Sequence, residues 1–142
     1  MNDLPWAPRI GLEAARWARG WNGDAAFHNM CKAFVRSVFD IEPSQSGTAI
    51  ECFNETRHPH KLTAATIDDV PQWVPIWYDT SNPAEHVAFT LRRQRKTGRR
   101  LAITTDARSG QIGIVTARDL LSWGPVIGWA EDFDGKRVWE DR

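Results

Sequence analysis

The chain has 142 residues, 42% of them apolar, with 18 basic side chains against 18 acidic ones. A chain of that length buries a proper core without staples, and it reads as one domain spanning residues 1–142. Balanced charge leaves no overall field to draw the protein to nucleic acid or to an anionic membrane, and two cysteines are too few for a disulfide scaffold.

The N-terminal stretch MNDLPWAPRIGLEAARW carries prolines and charges where a secretory leader needs an apolar run, so synthesis and folding in the cytoplasm are expected. No stretch is long and apolar enough to insert in a membrane. Leu12 to Arg19 reads as a short helix closed by Gly20. Phe27, Cys31, Phe34, Val35 and Val38 fall at helical spacing and predict a second helix with one buried stripe. Its start has two candidates: Asp24 as cap, or Asn29 as cap with Met30 and Cys31 in the first turn. Pro43 ends that region, and Thr48 to Thr56 predicts a third short helix containing Cys52.

Strands follow. Gln72 to Tyr78 reads as a strand with Pro75 inside it, which points to an edge or a bulge. Glu85 to Arg92 alternates, with His86, Ala88 and Thr90 on one face and Val87, Phe89 and Leu91 on the other. Arg100 to Thr105 and Gln111 to Val115 predict two more strands, and Thr116 to Asp119 has the form of a capping box for a short helix. Val126 to Ala130 and Arg137 to Trp139 read as a closing pair turned at Asp134-Gly135. Helices first and strands second make the fold class α+β. Between two of the strands lies the basic run Arg92 to Arg100. It reads as a solvated hairpin loop, with contact to an anionic polymer such as teichoic acid or nucleic acid as the competing reading.

Cys31 is the first chemical candidate. At a helix N-terminus, the unpaired backbone N–H groups favour thiolate over thiol, and a thiolate beside a histidine is the minimal equipment of a cysteine hydrolase. The competing reading is a small buried hydrophobe on an apolar stripe. Cys52, mid-helix between Ile50 and Phe53, reads as structural. His86 is the candidate base, since the small face of its strand leaves room for the cysteine helix to pack closely. Its alternative is a solvent-exposed strand-end histidine. The following strand offers two orienting groups, Asp106 by charge and Thr104 by hydrogen bond, with Asp106 equally readable as a turn residue. His28 with Cys31, and His58 with His60, lack the third and fourth ligands that a zinc site needs. No phosphate-binding glycine loop and no serine nucleophile elbow is present, so the reading calls for no metal and no cofactor. Eight tryptophans against one tyrosine supply stacking floors as well as core.

In order, the segments Trp21-Asn-Gly, CKAFVR (31–36), VPIW (74–77), EHVAF (85–89), ITTD (103–106) and WGPVIGWAEDFDG (123–135) resemble the papain-like cell-wall cysteine hydrolases, the group of NlpC-type peptidases and CHAP amidases, in versions found in phage lysins. The resemblance runs from Trp21 to Trp139. Around the nucleophile this chain reads Asn-Met-Cys-Lys where family members often have Asp-Cys-Ser-Gly. The resemblance implies N-terminal helices packed on a C-terminal antiparallel sheet of five or six strands. It also implies Cys31 as nucleophile, His86 as base, and Asp106 or Thr104 as third member. Trp21, Asn22 and Trp123 would line the cleft. The substrate would be a peptidoglycan stem peptide or cross-bridge, reached from the cytoplasm as a phage lysin reaches it. Two other readings stay open: an inactive member that binds wall or a protein partner, and a hydrolase of an intracellular amide.

Overall fold

A computed structural model describes residues 7–42, 48–80 and 85–140. The predicted end of the second helical region at Pro43 lies outside the described residues. The architecture is α+β, with three short helices on a six-stranded antiparallel sheet.

Helix α1 (Gly11–Arg19) presents Ala14, Ala15 and Ala18 to the core, and Gly20 follows its last residue. Helix α2 (Cys31–Val38) buries Phe34, Val35 and Val38, the stripe its spacing demands. The Arg9 guanidinium donates to the carbonyls of Ser37 (2.9 Å) and Val38 (3.2 Å), supplying a cation where the helix dipole is negative. Helix α3 (Ala49–Asn54) starts at a true cap: the Thr48 hydroxyl accepts from the Glu51 amide at 3.2 Å.

The strands are β1 (Pro59–Lys61), β2 (Pro75–Tyr78), β3 (His86–Arg93), β4 (Arg100–Arg108), β5 (Gln111–Thr116) and β6 (Val126–Ala130), in the spatial order β1-β6-β2-β3-β4-β5. A small hairpin, β7 (Asp132–Phe133) with β8 (Lys136–Arg137), stands apart from that sheet. Two expectations fail here. Pro75 does not mark an edge: it is the first residue of a strand in the sheet interior, where a missing N–H costs least, and the irregularity of that strand falls further on, between Trp77 and Tyr78. The Val126–Ala130 strand does not pair with Arg137–Trp139. It lies between β1 and β2, and the Asp134-Gly135 turn serves the separate hairpin, with φ of 47° and 81°.

The sheet is buried on both faces. On one, Val87, Phe89, Leu91 and Ile103 join Phe34, Val35, Val38 and Phe39 in the helical core. On the other, Ala88, Ile76 and Trp129 of the sheet pack with Ile67, Val70 and Leu120, contributed by a loop and two short 3-10 turns. The helices therefore cover the large-residue face of β3, and the expectation that α2 packs on the His86, Ala88 and Thr90 face is reversed. An apolar helix stripe gains more against Phe and Leu than against Ala and Thr. The Thr90 hydroxyl instead ties the opposite face to its loop, donating to the Pro71 carbonyl at 2.7 Å and accepting from the Val74 amide at 3.0 Å.

Two connections complete the frame. The basic run forms the β3–β4 hairpin, where the Gln94 amide donates to the Arg99 carbonyl at 2.7 Å and residues 92–99 are exposed. At the outer edge of β5, the Gly23 amide donates to the Ile112 carbonyl and the Ile112 amide to the Asp24 carbonyl, both at 2.8 Å.

Truncating Phe34 to Ala should cost about 3–5 kcal/mol of unfolding free energy, since a fully buried ring in a two-sided core leaves a cavity that cannot collapse. Thr48→Ala should cost about 1 kcal/mol through its lost cap. Urea denaturation followed by circular dichroism measures both, and equal effects at the two positions would contradict the assigned core.

Candidate active site

The start of α2 is unusual in its ends. Met30 precedes it with φ −124° and ψ 53°, no side chain caps it, and its first turn holds no acid. Asp24 is not its cap; that carboxylate accepts from the Ala26 amide in the turn before, at 2.7 Å. Nor does the Asn29 side chain cap it. Asn29 is held at φ 59°, in the left-handed region, and presents its own amide to Asp106 Oδ2 at 2.8 Å. The free N–H groups of the first turn are thus left to Cys31 and to whatever enters beside it.

Cys31 approaches β3 from the helical side and meets the strand at its edge. Its thiol points to the Glu85 carbonyl oxygen at 4.0 Å, which sets it against the backbone just ahead of His86. Cys31, Glu85, His86, Asn29, Asp106 and Trp123 line one open cleft of about 640 Å³, with Thr80 at its margin. Burial is the main influence on the thiol and pushes its pKa up, and the Asp106 charge adds to this. Hydrogen bonds from the amides of Val87, Lys32 and Cys31 itself pull the other way without prevailing. The expectation of a resting thiolate is therefore corrected: desolvation outweighs the helix terminus, and Cys31 rests as a thiol.

His86 opens β3 and is buried, with only 7% of its surface exposed. Its Nε2 is 2.5 Å from Thr104 Oγ1, whose hydroxyl donates onward to the Thr105 carbonyl at 3.3 Å. A hydroxyl has one proton to give, so an Nε2–H bond to Thr104 is the arrangement that satisfies both contacts, and it leaves Nδ1 with its lone pair. Burial pulls the His86 pKa down to about 4, against a smaller upward pull from Asp106. At neutral pH the pair is therefore a thiol and a neutral imidazole.

The indole of Trp123 stands edge-on to the His86 ring at 4.9 Å. Gly124 makes that placement possible, because a Cβ there would lie 1.8 Å from the Asp79 carbonyl oxygen. Of the sequence candidates, Cys31, His86, Thr104, Asp106 and Trp123 come together; Trp21 and Asn22 do not. Trp21 packs between Trp17 (5.6 Å) and Phe27 (5.3 Å) against the helical core. Asn22 borders a separate hollow beside β5.

The orienting role is divided differently from either sequence reading. Thr104 bonds the imidazole, whereas the Asp106 carboxylate bonds His28 Nδ1 through Oδ1 and the Asn29 amide through Oδ2. Asp106 acts on His86 only through space. Sequence reasoning missed this clamp, along with Glu85 and Asn29 as cleft residues. Asn29 (φ 59°), Glu85 (φ 57°) and Asp106 (φ 58°) are all left-handed, a conformation that costs about 1–3 kcal/mol each and clusters where structure is held for a purpose. The other histidine pair of the sequence is also accounted for. His60 stacks on Trp129 at 4.1 Å and bonds Glu131 at 2.7 Å. Among the described residues no three His, Cys, Asp or Glu side chains converge as a metal site would need, and no helix is long and apolar enough to cross a membrane.

No protein-family model, curated protein or solved structure matches this chain.

The depressed histidine has a measurable consequence. A group whose folded pKa lies below its unfolded value of about 6.5 is neutral in the fold while the unfolded chain binds its proton, so stability falls with pH through that window. Stability should be flat above pH ~6.5 and decline towards pH ~4, on the order of 3 kcal/mol in all from this residue. Ring nitrogen shifts in a pH titration should place the His86 midpoint near 4. A midpoint near the unperturbed value would mean that the ring is solvated.

Proposed function

We propose that the chain is a cysteine hydrolase of papain-like arrangement that cleaves an amide bond, with peptidoglycan stem peptide or cross-bridge as its substrate class. One observation carries the chemistry. In a single open cleft, a helix-start cysteine stands against the Glu85 carbonyl, one residue ahead of a neutral histidine whose Nε2 is bonded to Thr104. The substrate class comes from the order of segments between Trp21 and Trp139 that resembles the cell-wall hydrolases.

The reaction starts from the uncharged pair. As Cys31 Sγ bonds the amide carbonyl carbon, its proton passes to His86 Nδ1. The imidazolium so formed keeps its Nε2–H bond to Thr104 and gains the nearby negative charge of Asp106. The oxyanion is taken up by backbone N–H at the uncapped start of α2. Collapse breaks the C–N bond, and His86 returns the proton to the leaving amine. Water, deprotonated by the same nitrogen, then cleaves the thioester and restores the thiol. Trp123 shields one side of the imidazole and offers a face to the substrate.

A raised thiol pKa also supports a second reading, a non-catalytic wall- or protein-binding member of the same fold. Alkylation by iodoacetamide separates the two. The enzyme's Cys31 should react at neutral pH in a His86-dependent way, whereas a silent cysteine should react slowly and indifferently to His86→Ala.

Purified protein should release amines from peptidoglycan. Cys31→Ala should abolish this, and His86→Ala should lower kcat/KM about 10²- to 10⁴-fold. Thr104→Val should give a smaller loss while leaving the fold intact. The acid limb of the pH profile should fall near pH 4, the His86 value. Wild-type turnover by Cys31→Ala would refute the mechanism.

A further inference from the structure

Arg100 opens β4 at the opposite end of β3 from His86, and it is buried, at 8% exposure. Its Nε donates to the Val70 carbonyl at 2.7 Å and its Nη1 to the Leu91 carbonyl at 3.1 Å. Nη2 has no hydrogen-bond partner among the described residues, and it is not sealed away from solvent. The residue lines a cavity of about 580 Å³, whose wall also includes Gln72, Trp73, Arg93, Trp139 and Glu140. Trp73 is held there at φ 66°, its amide bonded to the Thr90 carbonyl at 2.9 Å.

The charge balance is unusual for a buried cation. Asp68 favours the protonated guanidinium but is itself engaged by Arg118 at 2.9 Å, while Arg93 opposes it. Burial and that like charge bring the Arg100 pKa down to about 10, still protonated at neutral pH. With two guanidiniums and the single Glu140 carboxylate in its wall, the recess keeps a net positive charge, and a guanidinium fork fits carboxylate or phosphate. The rest of the wall suits a hydroxylated ring. Indole faces stack on the C–H surface of a sugar, and the Gln72 amide oxygen accepts from O–H groups.

We propose that this cavity binds an acidic saccharide, with its carboxylate or phosphate on Arg93 and Arg100 and its ring against Trp73 or Trp139. The site does not depend on the thiol chemistry. Six strand residues lie between His86 and Arg93, which puts it roughly 20 Å from the cleft at the usual rise per residue. The exposed cations of the adjoining hairpin, Arg92, Arg95, Lys96 and Arg99, would draw such a ligand towards it.

Calorimetry and saturation-transfer NMR on the full chain, with glucuronate, glucose 6-phosphate, glucose and AMP as probes, test this without any turnover. Glucuronate or glucose 6-phosphate should bind, and the tighter of the two identifies which anion the site was built for. Glucose should bind at least about tenfold more weakly, as the charged contacts imply. Added salt should weaken the anions and leave glucose unchanged. Arg93→Gln, at an exposed position, should cost about tenfold for the sugar anions, and Trp139→Ala should weaken them further. No binding of either sugar anion, equal affinity for glucose, tighter binding of AMP, or full affinity in Arg93→Gln would each overturn the proposal.

Discussion

Burial of β3 on both faces is the constraint from which the rest of the molecule follows. From His86 to Leu91 every residue of that strand is buried, so each side chain must find a partner in one layer or the other. Val87, Phe89 and Leu91 call for the helical layer, and α2 supplies Phe34, Val35 and Val38. Ala88 and Thr90 accept the loops before β2 and after β5. Because α2 is fixed by that packing, its first residue arrives at the first residue of the strand. Cys31 and His86 are brought to one cleft by the core, each at the end of its element.

The electrostatics of the cleft follow from the same burial. Desolvation acts on both groups in the direction that removes charge, raising the thiol and lowering the imidazole. Thr104 then holds the neutral ring by Nε2, with a buried hydroxyl that keeps two partners. Asp106 stands at a break in the β4–β5 register and joins β4 to the loop ahead of α2 by way of His28 and Asn29. Its charge stabilises a proton on His86 from a distance, so the site favours neutrality at rest and tolerates the ion that catalysis would form.

Local pattern made the helices legible. The stripe from Phe34 to Val38 could be read because it depends on residues three or four apart, whereas the Thr48 cap went unread, with Thr48 counted as the first residue of its helix. The six-strand antiparallel sheet was legible as a type, and its order was not. Pro59-His60-Lys61 has no apolar alternation, and it is a strand only because β6 lies beside it, with Gly128 close against the His60 carbonyl. The strong Asp134-Gly135 turn signal suggested that its flanking runs pair, and it carries no information on which strand Val126–Ala130 would find instead. At the site, residue type identified Cys31, His86 and Thr104. The partner of Asp106 depended on His28, 78 positions away, and no spacing rule spans that distance. The choice of helix face on β3 was misjudged for a related reason: room for close approach was weighed above the apolar area that drives it.

The loop that carries Trp21 and Asn22 has a role outside the cleft. By exchanging two hydrogen bonds with Ile112, Gly23 and Asp24 occupy the outer rim of β5, the end strand of the sheet beside the helices. An open rim of that kind is a template onto which a second chain can add its own strand. Trp21, wedged between Trp17 and Phe27, anchors this cover to the core. The aromatic cluster at the start of the chain thus serves as a guard against aggregation, and its loss would endanger solubility before it altered chemistry.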